Sequence, residues 1–586
     1  MKHKLLFTFR TALFSALAVF SVVLVHAQYE LDWNYDYTVR DDVYLEIVGT
    51  GIDAANNYYV VSNYFDTVDV DLGSGVTEFA PSNQSSMFVA KYNSSGGLIW
   101  GKKLGINDAN VIGRKMTVDA AGNIYMVGVT GTEPGVLVDF DPGPNSANLS
   151  IGTSAYRFMW VLKWDTDGNF SWVKDIRTET STINTGVRAY GIAVDSDGNV
   201  YVTGAWDRDL NFGPPSNFSM TSGASKVSSF LAKYNASGTF QWAKKYEQSW
   251  AYPASLSGNF NHIQIHSSGI YLSGYFAGNI DFNPESGFDT LASPVQDLTA
   301  FAAKMDLNGN YLWANKFLPV GSSYSYVTDT HLDASGNIYL GGMFEGTVDF
   351  DPTAGSNEIL SNERDVFVAK ISSAGSVNWI KDFGGSGTDQ VKAVALDDLG
   401  NLLVAGDFTD TADFDPGSGV ENLISEASYD SYLLKLDNNG DFDWVRSWGG
   451  DGFETLWTMD FDAEGNILIC GSYTSTDMEF DPFRGGVATS KTYLMKLSEP
   501  DMSLSEVEND QDFSVFPVPA NQFFTISGIP EGALIRVIDI NGKIIIDQTA
   551  QSDIVQISTD GLANGMYVVR IESANFKGQK KIMINR

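Results

Sequence analysis

"DAAGNIYMVG" (119–128) holds a strand, a tight turn and a second strand within ten residues. The turn residues Gly and Asn interrupt alternating apolar side chains, and such dipeptides mark a two-residue hairpin needing positive φ. The phrase returns as "DSDGNVYVTG" (195–204), "HSSGIYLSG" (266–274), "DASGNIYLGG" (333–342), "DDLGNLLVAG" (397–406) and "DAEGNILICG" (462–471), with a divergent first copy "DAANNYYVVS" (53–62). Aligned on Tyr59, Tyr125, Tyr201, Tyr271, Tyr339, Leu403 and Leu468, the copies lie 66, 76, 70, 68, 64 and 65 residues apart. A fixed period of this length marks a repeat architecture.

Around each copy the order is constant. An alternating strand precedes the turn, a second strand follows it, and a long variable connection leads to a third strand such as "SSFLAKYN" (228–235). A second tight turn then opens a Trp-bearing fourth strand. The step from Gly to Trp is the same at Gly96–Trp100, Gly168–Trp172, Gly238–Trp242, Gly309–Trp313, Gly375–Trp379 and Gly440–Trp444. A constant offset fixes the face each Trp occupies, and these Trp residues read as packing between repeats. Seven units of four strands predict an all-β chain built as a seven-bladed β-propeller. The seventh unit stops after its third strand, "KTYLMKLSEP" (491–500), while "YELDWNYDY" (29–37) is a Trp-bearing strand with no preceding three. The N-terminal strand is therefore expected to complete the last blade.

The phrases "D-x-x-G-N-x-Y-x-x-G", "F-x-A-K-x-x-x-x-G" and "x-x-W", spread over most of 38–497, resemble the SBBP-type β-propeller repeats of secreted bacterial proteins. The resemblance implies fold and leaves activity open, since propellers host unrelated functions.

Both ends differ from the repeats. Lys2, Lys4 and Arg10 precede the apolar run "TALFSALAVFSVVLV" (11–25), the pattern of a secretory signal peptide over 1–27 with cleavage between Ala27 and Gln28. The expected organisation is then a propeller over 28–499, an acidic linker over 500–512 and a small β-sandwich over 513–586. The tail motifs are "FPVPAN" (516–521), "VIDINGKII" (537–545), "LANGMYVVRI" (562–571) and "KKIMINR" (580–586). They resemble the type A C-terminal sorting domain of the type IX secretion system of Bacteroidota, through Phe516, Pro517, Pro519, Ala520, Asn541, Gly542, Gly565 and Tyr567. Val518 stands where that family usually has Asn. The resemblance implies a type IX secretion machinery partner, removal of the tail on export, and release or attachment at the cell surface.

Formal net charge is −35, of which residues 28–512 carry −39. Such a surface repels phosphate backbones and anionic lipid heads, so neither nucleic acid nor membrane is an expected partner. No run beyond the signal peptide is long and apolar enough to span a bilayer. The single Cys470 lies in the apolar run "NILICGSY" and reads as a buried structural thiol. His262 and His266 stand four apart on a strand, too far for one metal at about 3.3 Å per residue. No Gly-x-Ser-x-Gly elbow occurs.

No cofactor is required by these residues. Calcium is the one candidate, at the acid pairs Asp69/Asp71, Asp139/Asp141, Asp349/Asp351 and Asp413/Asp415 that open the long connection. The competing reading is a strand end with the intervening apolar residue buried. The variable connections lie at one end of the repeats, where binding is expected. Trp250, Tyr252, Tyr324, Tyr326, Phe453 and Trp457 are the candidate ligand-binding aromatics there, for an extracellular glycan or protein. The favoured function is a non-catalytic binding or adhesion module. The alternatives are a secreted glycan-active hydrolase or lyase using acids at the channel mouth, and a structural spacer.

Overall fold

The computed structural model describes residues 30–39, 45–81, 86–104, 110–131, 137–150, 157–178, 186–207, 209–213, 218–222, 227–248, 259–283, 289–293, 298–353, 355–426, 428–475, 491–498, 513–518, 520–539, 544–559, 562, 565–573 and 576–584. The expected signal peptide with Ala27 and Gln28, and the linker, lie outside the described residues. Every regular element among them is a β-strand. Among the described residues no helix is long and apolar enough to cross a membrane. The chain divides into two compact units, one of which spans Tyr29–Glu499 and the other of which contains Pro500–Arg586.

In the larger unit the repeat appears as antiparallel four-stranded groups. The first comprises Glu46–Ile52, Tyr58–Tyr64, Ser86–Tyr92 and Leu98–Leu104. The second comprises Asn110–Val118, Ile124–Gly131, Arg157–Trp164 and Phe170–Thr178, and the third Arg188–Val194, Val200–Trp206, Ser228–Tyr234 and Phe240–Glu247. The fourth has Asn259–His266, Gly269–Phe276, Thr299–Met305 and the start of the long strand Tyr311–Leu332. That strand runs on into the fifth, with Ile338–Asp349, Glu358–Ile371 and Val377–Gly385. The sixth is Gln390–Leu396, Leu402–Phe408, Asp430–Leu436 and Phe442–Trp448. The seventh is Glu454–Phe461, Ile467–Tyr473 and Lys491–Ser498, with the N-terminal strand Glu30–Val39 paired to its outer edge.

Register shows how the N-terminal strand fits. In the other units the fourth-strand Trp lies opposite a third-strand Lys: Trp100 opposite Lys91, Trp172 opposite Lys163, Trp242 opposite Lys233, Trp313 opposite Lys304, Trp379 opposite Lys370 and Trp444 opposite Lys435. Trp33 lies opposite Lys496. Nearby, Tyr37 is fully buried, its hydroxyl 3.1 Å from that of Tyr92, and Tyr473 donates to Asp36 at 3.0 Å.

The hairpin turn differs from the sequence expectation. It is not a two-residue turn with Gly and Asn both at positive φ. The Gly122 N–H donates to the Asp119 carbonyl at 2.8 Å, and the Asp119 N–H to the Asn123 carbonyl at 3.0 Å. This is a three-residue loop, a type I turn closed by one left-handed residue. Only Gly122 takes positive φ, at 82°, and Asn123 contributes its side chain instead, donating Nδ2–H to Asp119 Oδ2 at 2.8 Å. In the divergent first copy Asn56 stands at the Gly position with φ 57°, a conformation Asn tolerates better than most residues. The fourth copy, one residue shorter, has the two-residue loop, with His266 paired to Gly269.

Units are joined by repeated contacts. The Trp100 indole N–H donates to the Thr166 carbonyl of the next unit, Trp172 to Ala236, Trp313 to Ser373 and Trp379 to Asn438, at 3.1–3.3 Å. The third-strand lysines lie over tyrosine rings, as Lys91 over Tyr59 at 4.8 Å and Lys304 over Tyr271 at 4.7 Å. Burial pushes the Asp397 carboxyl upward, but hydrogen bonds from Lys435 and Asn401 outweigh it and hold the group below its ordinary value. An apolar cluster fills each junction between successive units. Another joins Leu468, Cys470 and Leu494 of the seventh unit to Tyr58, Val60 and Phe88 of the first. Cys470 is fully buried there, and burial drives its thiol well above the ordinary range, as expected of a structural cysteine.

The smaller unit is two antiparallel sheets around one apolar core. One contains Ser514–Phe516, Phe523–Ser527 and Ile554–Ser558. The other contains Leu534–Asp539, Ile544–Thr549, Gly565–Ser573 and Phe576–Ile584. Ala520 and Tyr567 are buried, and the Ala520 N–H donates to the Met583 carbonyl at 2.7 Å. Phe516 is exposed, Pro517 follows it on the surface, and Gly565 pairs with Ile584. Pro519, Asn541 and Gly542 lie outside the described residues.

Candidate functional site

The first strand of every unit lines one cavity of about 360 Å³, to which Thr50, Met116, Ile192, His262, Asp329, Ala393 and Asp460 each contribute from a different unit. Its polar groups are largely engaged with one another. His262 Nδ1 lies 3.3 Å from Asp329 Oδ1, and the Val394 N–H donates to Asp329 Oδ2 at 2.9 Å. Burial holds His262 below its ordinary value despite that carboxylate. Asp460 is pushed up to about 6, chiefly by burial, and accepts a hydrogen bond from the Thr50 hydroxyl.

At the end of the variable connections the cavity is flanked by two side pockets. One, of about 510 Å³, is lined by Tyr275, Leu298, Ser322, Ser323, Tyr324, Tyr326 and Arg364. The other, of about 450 Å³, includes Arg114, Lys115, Arg188, Tyr190, Asn261 and His262. The rings of Tyr324 and Tyr326 stack at 6.0 Å, and Tyr326 meets Tyr275 edge-on at 6.1 Å. The Arg364 Nε–H donates to the Tyr324 hydroxyl at 2.9 Å, which in turn donates to Glu345 at 2.5 Å. Burial raises Tyr324 and Tyr275 to about 12, so both hydroxyls are neutral donors at ordinary pH. Together these half-buried tyrosines form a wall across the fourth and fifth units.

The expected aromatics are placed unequally. Tyr324 and Tyr326 are in this wall. Trp457 lines the main cavity and donates its indole N–H to Ser472 at 3.3 Å. Phe453 is exposed against Tyr429, ring to ring at 5.2 Å. Trp250 and Tyr252 lie outside the described residues. Tyr190, Tyr275, Arg114, Arg188 and Arg364 were not singled out from the sequence. The available signal was a handful of basic residues within strands of a strongly acidic chain.

The repeated acid pairs form loop staples. Asp139 Oδ1 accepts the N–H groups of Asp141 and Ala147 at 3.1 and 2.8 Å, spanning the connection's base. Asp69, Asp349 and Asp413 make the same two bonds, to Asp71 and Thr77, Asp351 and Asn357, and Asp415 and Glu421. The second acid caps the next turn, as Asp141 does for the Gly143 N–H at 2.8 Å. Between them Val70, Phe140, Phe350 and Phe414 are buried. Calcium wants six to eight oxygens, whereas one oxygen of each acid is committed to backbone donors. Among the described residues no three His, Cys, Asp or Glu side chains gather as a metal site. One oxygen of each acid thus staples its own loop, a role that needs no cation. Asp139→Ala is expected to lower Tm by about 1–4 °C, from roughly 1–3 kcal/mol of unsatisfied amides, while EDTA leaves the Tm of the native chain unchanged. A drop on chelation in a calorimetric scan would instead reveal a cation.

Other acids at this end pair across units. "FGGSGTDQ" (383–390) and "WGGDGFET" (448–455) are two copies of one loop. The Gly385 N–H donates to Asp389 at 2.8 Å, and the Gly450 N–H to Glu454 at 3.1 Å. Asp389 faces Asp365 across Gly384: a Cβ at Gly384 would stand 2.6 Å from Asp365 Oδ1 and 2.7 Å from Asp389 Oδ2. Asp430 and Glu454 are the corresponding pair in the next units. Burial, and secondarily the neighbouring acid, pushes Asp389 and Glu454 up to about 7. All four carboxyls are buried.

Two family models match parts of the chain. Residues 514–585 match the secretion system C-terminal sorting domain, and 99–134 and 177–205 match the β-propeller repeat of the SBBP family. An uncharacterized WD repeat-containing protein of Acanthamoeba polyphaga mimivirus is 22% identical over 457 residues, covering 64% of this chain and 31% of the relative. The chain thus spans about a third of that relative's length. Among solved structures, PorZ, a surface component of the type IX secretion system of Porphyromonas gingivalis, aligns over 94% of this chain and 100% of its own at 10% identity and TM-score 0.16. Puromycin hydrolase aligns over 74% of this chain and 59% of its own at 9% identity and TM-score 0.28. The sorting tail indicates export, to the medium or the outer cell surface.

Proposed function

We propose that the chain is a type IX-exported β-propeller that binds an extracellular glycan or protein without catalysis. In this reading a signal peptide over 1–27 directs the first export step, and the tail engages the secretion machinery. The units close into a seven-bladed ring whose last blade is completed by the N-terminal strand. Support for closure comes from the shared register of Trp33 with the other six Trp residues and the apolar cluster between the last and first units.

The tyrosine wall at the channel mouth carries the binding reading. Aromatic faces beside convergent polar donors are what a specific ligand site offers. The raised acids nearby lie buried, so the mouth itself presents hydrogen-bond donors rather than an acid–base pair. Screening the full chain on glycan and protein arrays is the test. The expected result is a reproducible ligand whose affinity falls about ten-fold or more in Tyr326→Ala, the loss of one stacking contact and its ordering, with Tm little changed. Binding that is indifferent to Tyr326 and Tyr275 would remove this mouth as the site.

A further inference from the structure

The chain has 72 acidic and 37 basic residues, yet basic groups converge at this one mouth. Arg114 and Lys115 come from the first strand of the second unit, Arg188 from that of the third, and Arg364 from the third strand of the fifth. Arg188 sits against the Tyr190 hydroxyl, and Tyr190 and Tyr275 lie within electrostatic reach of each other. Tyr190 of one side pocket therefore lies near Tyr275 and Tyr326 of the other, and each pocket carries guanidinium groups. Three acids there are already engaged, Glu46 3.5 Å from Arg114, Glu345 accepting from Tyr324, and Asp329 held by His262 and Val394, and the two carboxyl pairs at this end are buried. Aliphatic lining is sparse, with Val129 and Ala189 in one pocket and Leu298 in the other. A protein partner would look for an apolar centre. Flat aromatic faces flanked by planar, always-charged guanidinium forks suit sugar rings bearing anionic substituents.

Resting on the binding reading above, we propose that this mouth takes an acidic polysaccharide, with sugar faces on Tyr190, Tyr275 and Tyr326 and carboxylate or sulfate groups on Arg114, Arg188 and Arg364. The ligand bridges the two pockets, so single monosaccharides bind poorly. Because the contacts are partly exposed, affinity falls as ionic strength rises.

The test is affinity electrophoresis of the full chain through gels containing polygalacturonate, dextran sulfate or neutral dextran. The carboxylated and sulfated arms separate the two anionic sources. Retardation is expected in at least one acidic gel and not in dextran. Arg114→Gln and Arg364→Gln should each weaken it about ten-fold, the size of one charge-assisted hydrogen bond. Lys245→Gln, the same charge change on an outer strand, should leave it intact. Arg114 is exposed, so its variant tests binding without a folding penalty. Equal loss in Lys245→Gln, or no retardation by either polyanion, overturns the proposal. Capture of a neutral glycan or a protein, lost in Tyr326→Ala but kept in both arginine variants, overturns it while leaving the binding reading standing. If no ligand depends on Tyr326 at all, both fall.

Discussion

A chain lacking residues 29–37 melts roughly 10 °C or more below the full chain, and in a single transition. The segment carries the outer strand of the seventh unit, paired with the last strand of that unit from Leu31 opposite Leu497 to Tyr37 opposite Thr492. Losing fully buried Tyr37 alone, on the scale of large aromatic truncations, costs about 3–5 kcal/mol. The deletion also removes Asp36, the acceptor for the Tyr473 hydroxyl, and uncovers the edge of Lys491–Ser498. If the ring is closed, the damage reaches the junction with the first unit, because Tyr37 shares a cluster with Tyr58, Phe88 and Tyr92 as well as Leu494. An open stack would fray at one end and leave the remaining units at their original Tm. Differential scanning calorimetry separates the outcomes. A small early transition followed by an unchanged main one refutes closure. Tyr37→Ala, which keeps the strand, is expected to lower Tm in the same single transition by a smaller amount.

The repeat was legible because each unit writes its geometry in few, irreplaceable residues. A left-handed position demands Gly, or Asn56 in the first copy, and the preceding Asp must accept the turn's own N–H groups. The Trp four residues beyond the second Gly was legible for a similar reason, since its indole reaches the next unit's turn. The turn type was misread because the role of Asn lies in its side chain. An Asn that donates Nδ2–H to Asp looks in sequence like an Asn chosen for φ. The mouth was less legible for a different reason. Arg114, Arg188 and Arg364 are separated by more than a whole repeat, and no local pattern marks them; only the stacking of units brings them to one end. Tyr324 and Tyr326, picked because variable connections carry binding groups, line one side pocket, while Phe453 and Trp457, picked by the same logic, sit outside the tyrosine wall. "FGGSGTDQ" and "WGGDGFET" stand in the sequence as two copies of one loop that the repeat phrase does not include. Their meaning was not, because the partner acids Asp365 and Asp430 belong to strands earlier in the chain.

Those partner acids make stability depend on pH, with a sign opposite to that of ordinary paired carboxylates. Asp389 and Glu454 are pushed up to about 7, and Asp365 and Asp430 to about 6, by burial first. In the unfolded chain such groups titrate near 4. Between the two values the folded state holds more protons, so stability is fully present at low pH and falls as pH rises through 6 to 7. Groups of the other sign act elsewhere. His262 and His331 are held low by burial, and charging them in the unfolded state matters only below about pH 6.5. Asp53, Asp397 and Asp462 are held low by their partners, and their contribution is lost only towards pH 4 and below. Raising the pH from 6 to 8 should therefore act chiefly through the two pairs, with a smaller part from Asp460, and cost about 3–4 kcal/mol in all, at roughly 1.4 kcal/mol per pKa unit and per group. Asp389→Asn with Glu454→Gln removes the charge while keeping an oxygen to accept the Gly385 and Gly450 N–H groups. The double variant should melt higher than the native chain at pH 8, match it near pH 6, and show a flattened profile between them. A native Tm that is level or rises over this interval would mean that the carboxyls are ionised and solvated. The same profile in the double variant would place the titration elsewhere. The outcome bears on binding as well, since the pairs lie between the fifth, sixth and seventh units at the end that carries the tyrosine wall.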